Sequence, residues 1–371
     1  MAPLLCPLLE AGCARLEAGD MDEVGEMTAA LADKSFYVAF FCARKMLEKL
    51  QNKLVLDLYD ELAAYYQFPH SLHQRVEMPD AAPRLAALSR QLAADCTLRD
   101  RQGLYHTYCR LQDLLQEILQ AYLRAARAQR PLPAPMPFRW QVYRARPQVC
   151  YSLAAHLCGR IYIGKLLPPG RLLPSYNALA AEYGVSLSTV RRAMELLEML
   201  GVVTALQGTG TRVACVGPRP GWEQDKASPK LLGALCEALQ VTRVAFNGVA
   251  EQLFPRQRRN AADAAAVLRE KQAQHGGFLP FFCAMGFLLY ENRNPALRQI
   301  WEKFYETLLL GLPLVQSRAA AFPAAKLDAL AEALAESLET GSFSLFHDSL
   351  WELAGLAEQA AAELAQTAAK T

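Results

Sequence analysis

Leu and Ala recur at spacings of three and four along most of this chain, the period of helices buried on one face. Before residue 130 the pattern predicts helices over 4–16, 21–32, 36–50, 54–66, 85–94 and 103–126. Pro7 leaves the start of the first helix open. Gly19-Asp20 and Asn52 interrupt the pattern, and a loop runs from Pro69 to Pro83. After residue 228 the same period predicts helices over 229–247, 249–253, 261–274, 278–292, 295–310, 326–338 and 342–368. Alternation of strand type is confined to 202–206 and 211–214.

Between the two helical regions the punctuation is denser. A helical pattern over 149–163 is stopped by Gly164, and Pro168-Pro169-Gly170 forbids its continuation. Pro174-Ser175 gives a fresh start, with the Ser175 hydroxyl placed to cap a short helix over 177–183. Gly184 supplies the turn and Val185 its apolar plug. Ser186 or Ser188 then caps a third helix that runs to about Leu200. Val190, Met194, Leu197 and Leu200 form its inward face, while Ser188, Thr189, Arg191 and Arg192 lie on or near the other face. Gly201 ends it. The two short strands follow, joined by Gln207-Gly208-Thr209-Gly210, a tip whose backbone amides can approach phosphate. This order is a winged helix-turn-helix, which sets its third helix in the DNA major groove. The expected fold class is mainly α, a winged helix-turn-helix between two all-helical, effector-like bundles. The expected divisions are a helical domain over 1–130, a Pro-rich linker over 131–138, the head over 139–216, a linker over 217–228 around Gly217-Pro218-Arg219-Pro220-Gly221, and a second helical domain over 229–371.

Charge separates these parts. The 371 residues carry a net charge of only +2. From Arg139 to Pro220, however, 10 Lys and Arg face 3 Asp and Glu, a surplus of seven, whereas both flanks are slightly acidic. Binding to phosphates by counterion release needs positive charge concentrated in this way. The chain is 52% apolar, which allows sizeable cores. Its ten cysteines show neither CxxC pairing nor zinc-ligand spacing, and so fit reduced thiols in a cytoplasm. No secretory leader or stretch long enough to span a bilayer is apparent, so a cytoplasmic location is expected.

The series LLPS, LA, YGVS, TVRRA, LE, LG and GTGT resembles the GntR family of bacterial transcription regulators, over about 65 residues in register. The resemblance implies an operator-binding head on an effector-sensing body, working as a dimer. It places DNA contacts at Ser175, Asn177, Ser186, Ser188, Thr189, Arg191, Arg192, Gln207, Gly208 and Thr209. The family commonly has Arg where this chain has Asn177 and Leu187. Asn can still read adenine or hold a phosphate, but Leu offers only an apolar contact, for example to a thymine methyl.

The flanks repeat one another. Phe40-Phe41-Cys42-Ala43 recurs as Phe281-Phe282-Cys283-Ala284, an offset of 241. With one-residue gaps, Asn52-Lys53 aligns with Asn294-Pro295, Leu58-Tyr59-Asp60 with Ile300-Trp301-Glu302, Arg84-Leu85 with Lys326-Leu327, and Tyr105-His106 with Phe346-His347. Both copies resemble the all-helical effector domain of the fatty-acid-responsive (FadR, or FCD) branch of the same family, on Leu16-Glu17-Ala18-Gly19-Asp20 and on Asn294-Pro295-Ala296-Leu297. On this alignment the first copy lacks an opening helix like the one over 230–247. Many domains of that branch hold a divalent metal with one Asp and three His. Here Ala43 and Met285 stand where a helix His would fall, so no metal and no cofactor is expected. The expected effector pocket is lined instead by Phe282, Met285, Tyr290, Trp301, Tyr305 and His347.

No GxSxG, phosphate-binding loop or framed acid/base pair occurs, so a non-enzyme is expected. The expected partners are operator DNA, a small effector of hydrophobic character and a second copy of the chain, with no membrane. The alternative is a degenerate family member that binds a ligand or a protein without reading DNA sequence, and the residues at 177 and 187 keep it open.

Overall fold

A computed structural model describes residues 2–31, 34–65, 78–129, 138, 140, 149–164, 167–254, 261–291 and 294–370. His70 and His73 fall outside the described residues. Of the expected Pro-rich linker only residue 138 is described, and between it and residue 149 only Trp140. The fold is mainly α, and the chain divides into two compact units, 2–140 and 141–371.

The first unit consists of α1 (Ala2–Cys13), α2 (Ala18–Ala30), α3 (Ser35–Glu48), α4 (Lys53–Tyr65), α5 (Ala81–Thr97) and α6 (Arg101–Gln129). Each buries the apolar stripe seen in the sequence, for example Val38, Cys42, Met46 and Leu47 of α3. Gly12 of α1 lies so close to α3 that a Cβ there would meet the Met46 carbonyl oxygen at 2.0 Å, so the two backbones are in near contact. After the last helix, Trp140 is buried and its indole N–H donates to Asp57 of α4 at 3.4 Å. Burial pushes the Cys13 and Cys42 thiols up to about 12 and Cys96 to about 11, so these groups stay protonated at neutral pH.

The second unit begins with the head: α7 (Val149–Cys158), continued by a π-helical turn over Gly159–Ile163, then α8 (Tyr176–Tyr183), α9 (Leu187–Met199), β1 (Val203–Leu206) and β2 (Gly210–Val213). A body follows, made of α10 (Ser228–Leu253), α11 (Ala261–His275), α12 (Leu279–Glu291), α13 (Pro295–Ser317), α14 (Ala324–Thr340) and α15 (Phe343–Ala368). Several helices outrun their sequence expectations: α2 takes in Gly19-Asp20, and α5 starts at Ala81, inside the expected loop. The break expected near Gly248 is absent from α10. Helix α13 continues past Leu310 through Gly311 and Pro313 to Ser317. Every residue from Leu308 to Val315 is buried. Packing on all sides therefore overrides the helix-breaking tendency of glycine and proline.

Helix order and pairing repeat between the first unit and this body. In the first, α2 packs on α5, α5 on α6, and α3 on α4, α5 and α6. In the second, α11 packs on α14, α14 on α15, and α12 on α13, α14 and α15. The first unit does have an opening helix, contrary to the sequence alignment. The twelve residues of α1 pack on α3 and α6, as the longer α10 packs on α12 and α15. Their apolar pattern, interrupted by Pro7, was too short to align with α10.

The repeated asparagines cap equivalent helices. Asn52 Oδ1 accepts from the Val55 amide, and Asn294 Oδ1 from the Ala296 and Leu297 amides. Asn52 is only 1% exposed, whereas Asn294 faces solvent. Asn52→Ala is expected to cost the first unit about 2 kcal/mol and Asn294→Ala about 1 kcal/mol in chemical denaturation, because only the buried cap leaves its amide without water.

Candidate nucleic-acid interface

The head is built around α9. Val190, Ala193, Met194, Leu196 and Leu197 bury one side of the helix, which packs on α7, α8 and β1. Its other side is exposed: Leu187, Ser188, Arg191, Arg192 and, further along, Glu195. The positive charge thus sits at the N-terminal half of the outer face, the end that a recognition helix presents to base edges and phosphates.

Two of the expected contact residues also shape the backbone. Ser175 caps α8, its Oγ accepting from the Ala178 amide at 3.2 Å. Ser186 caps α9, its Oγ accepting from the Thr189 amide at 3.2 Å. Ser186 Oγ also lies 2.9 Å from both Ser188 Oγ and Thr189 Oγ1. The three hydroxyls at the start of α9 therefore form one cluster. Between the helices Gly184 adopts φ +61°, a left-handed turn that glycine takes without a Cβ clash. Asn177 is exposed in the first turn of α8.

The wing pairs Val203 with Val213, Thr204 with Arg212, Ala205 with Thr211 and Leu206 with Gly210. Gln207, Gly208 and Thr209 are exposed at its tip, with Gly208 at φ +71°. The stretch before α8 adds an edge that sequence reasoning missed. Leu172 bridges to Arg212, the Leu173 amide donates to the Thr211 carbonyl at 2.8 Å, and the Val213 amide donates to the Arg171 carbonyl at 2.9 Å. This edge brings two further exposed arginines, Arg171 and Arg212, onto the wing. Its only sequence signal is Leu172-Leu173 between a turn and a proline, too short to read as a strand.

The head is anchored on both sides. From the π-helical turn after α7, Arg160 Nη1 donates to Glu182 Oε1 and to the Tyr183 hydroxyl, each at 2.7 Å, tying that turn to the end of α8. Towards the body, Ser152 Oγ donates to Glu306 Oε2 of α13 at 2.8 Å, and Lys303 Nζ holds the other carboxylate oxygen at 2.7 Å. The segment over 217–228, expected as a linker, is packed. Trp222 is buried, the Arg219 amide donates to the Met199 carbonyl at the end of α9, and Ser228 Oγ donates to the Trp222 carbonyl at 2.5 Å. Its prolines and glycines form turns around Trp222 instead of a free tether.

The expected effector residues separate into groups. Phe282, Met285, Trp301 and Tyr305 are buried in the body. Tyr305 donates its hydroxyl to the Phe282 carbonyl at 2.9 Å and fits against Gly286, where a Cβ would come within 2.6 Å of that oxygen. Trp301 meets Phe304 edge to face at 6.1 Å. His347 joins a different aromatic group, stacked on Phe246 at 5.7 Å and close to Phe343, with Nδ1 2.8 Å from Asp348 Oδ1. The Tyr290 side chain falls outside the described residues. Among the described residues, no group of three or more His, Cys, Asp or Glu side chains is placed to hold a metal ion, and no helix is long and apolar enough to cross a membrane.

Residues 153–213 match the family described as bacterial regulatory proteins, gntR family. An uncharacterised HTH-type transcriptional regulator of Escherichia coli (strain K12), YieP, is 36% identical over 87 residues. Those residues are 24% of this chain and 36% of that relative, so the chain spans about a third of the length of the curated relative it matches. Among solved structures, Streptococcus agalactiae GntR aligns at 15% identity with a TM-score of 0.26, over 56% of this chain and 99% of that one. McbR/YncC of E. coli aligns at 17% identity with a TM-score of 0.29, over 59% and 98%. The span that matches the gntR family, residues 153–213, is the one that carries α8, α9 and the wing.

Proposed function

We propose that this protein is a cytoplasmic transcription regulator that binds operator DNA through α9 and the wing. The observation that carries this reading is the division of α9. One face is packed into the head, and the other leaves Arg191 and Arg192 exposed beside Ser188 at the helix's leading end. In this reading Ser175, Asn177 and Ser186 position the backbone on phosphates. Ser188, Thr189, Arg191 and Arg192 face base edges and nearby phosphates, and Gln207, Gly208 and Thr209 follow the adjacent backbone. The chain acts as a homodimer, which sets two heads on the half-sites of a palindrome. The two helical bodies are its sensing and pairing parts. A hydrophobic effector acts by binding one arrangement of the dimer better than the other.

Fluorescence anisotropy of the full chain tests this against DNA from upstream of its own gene and a scrambled duplex, from about 50 to 200 mM salt. Tighter binding to the upstream duplex, with affinity falling steeply as salt rises, is the expected result. Equal and weak binding to both favours a second reading, in which the head holds a protein or ligand without reading sequence. The exposure of two aliphatic side chains on the head, Leu172 and Leu187, is the observation on its side.

A further inference from the structure

Leu187 is the first residue of α9 and is 41% exposed, although the other large aliphatic residues of that helix are buried. Exposed leucines are common on protein surfaces, and exposure alone assigns them no role. Here the surroundings decide. The neighbouring hydroxyls of Ser186, Ser188 and Thr189 are turned into one another and onto the Thr189 amide. Ser186 is the cap, and the Ser188 and Thr189 hydroxyls lie within hydrogen-bond distance of its Oγ. Beside these hydroxyls the first turn offers outward a branched aliphatic group, one helical turn before Arg191. In the major groove, the apolar feature that marks a base pair is the C5-methyl of thymine.

We propose that Leu187 is a specificity-determining residue that reads a thymine methyl. The proposal rests on the DNA-binding reading above and adds the base that the head selects. Arg191 supplies charge or a hydrogen-bonding fork, and Leu187 excludes water from one methyl group. The contact is neutral, so it changes base preference without changing the salt dependence of binding.

The test begins with a random duplex pool, from which the full chain enriches its preferred sequences. In the enriched duplex each thymidine is then replaced singly by deoxyuridine, which removes only the methyl group. The intact protein is expected to lose affinity at one thymine per half-site by about fourfold, the worth of burying one such group. Leu187→Ala is expected to bind the unmodified duplex more weakly by a similar factor, with an unchanged salt slope and no further loss at that deoxyuridine. Circular dichroism of this variant should match the parent, since the side chain is not part of the core. If no deoxyuridine position weakens the intact protein, or if Leu187→Ala retains the same loss, the proposal is overturned while DNA reading stands. A pool that enriches nothing overturns both.

Discussion

Gly201→Ala is expected to destabilise the head by at least about 3 kcal/mol, lowering the melting temperature of the unit that contains it by about 6–12 °C. Gly201 follows α9 at φ +65°, and a Cβ there would lie 1.5 Å from the Gly217 carbonyl oxygen. The obstacle is backbone, so no side chain can move aside. Gly201 also accepts a hydrogen bond from the Val216 amide at 2.9 Å, which fixes the exit from the wing against the exit from the helix. Gly170→Ala supplies the control. Gly170 also has positive φ, +86°, but nothing lies within 4 Å of its Cβ position, so only the dihedral cost of about 1 kcal/mol is expected. Thermal unfolding followed by circular dichroism separates the two. Equal losses would show that Gly201 is not held by close approach.

The second large effect concerns binding. Replacing both Arg191 and Arg192 with alanine is expected to weaken duplex affinity about a hundredfold at about 0.15 M salt. If both guanidinium groups meet phosphate, the salt slope should flatten by roughly 2, and all sequences should lose equally. If one of them reads a base edge, the slope should change by roughly 1, and sequence preference should relax at one position. Both side chains are exposed, so the fold should be unaffected. Unchanged affinity in the double variant would remove α9 from any DNA contact.

The head was legible in the sequence because its determinants are local. Gly164, Ser175, Gly184, Ser186 and Gly201 each fix a stop, a cap or a turn through their own backbone and immediate neighbours. What escaped depends on residues distant in sequence. Leu172 pairs with Arg212 across forty positions, and the helix through Pro313 persists because other helices surround it. Trp222 turned an expected linker into a packed joint, although a lone tryptophan between prolines has no periodicity to announce its burial. The effector residues show the same limit. Periodicity identified Phe282, Trp301 and Tyr305 as inward-facing, but it could not foresee that His347 would sit with Phe246 and Phe343. In the candidate interface, sequence reading named Ser186 both as a cap and as a contact. It could not tell that capping would also gather in the hydroxyls of Ser188 and Thr189.

The packed joint also bears on operator architecture. Regulators whose heads hang on slack tethers can follow half-sites that drift apart, because the tether absorbs the difference. Here Ser152 is fastened to Glu306, and the chain leaving α9 is folded over Trp222 into α10. In the proposed dimer, the distance between the two heads would then be a dimension of the helical body. Inserting a base pair or two between half-sites should therefore be poorly tolerated, since each added pair also turns one half-site about the DNA axis. In the proposed regulator, a tilt of α13 would be passed to the head through the Ser152–Glu306 contact.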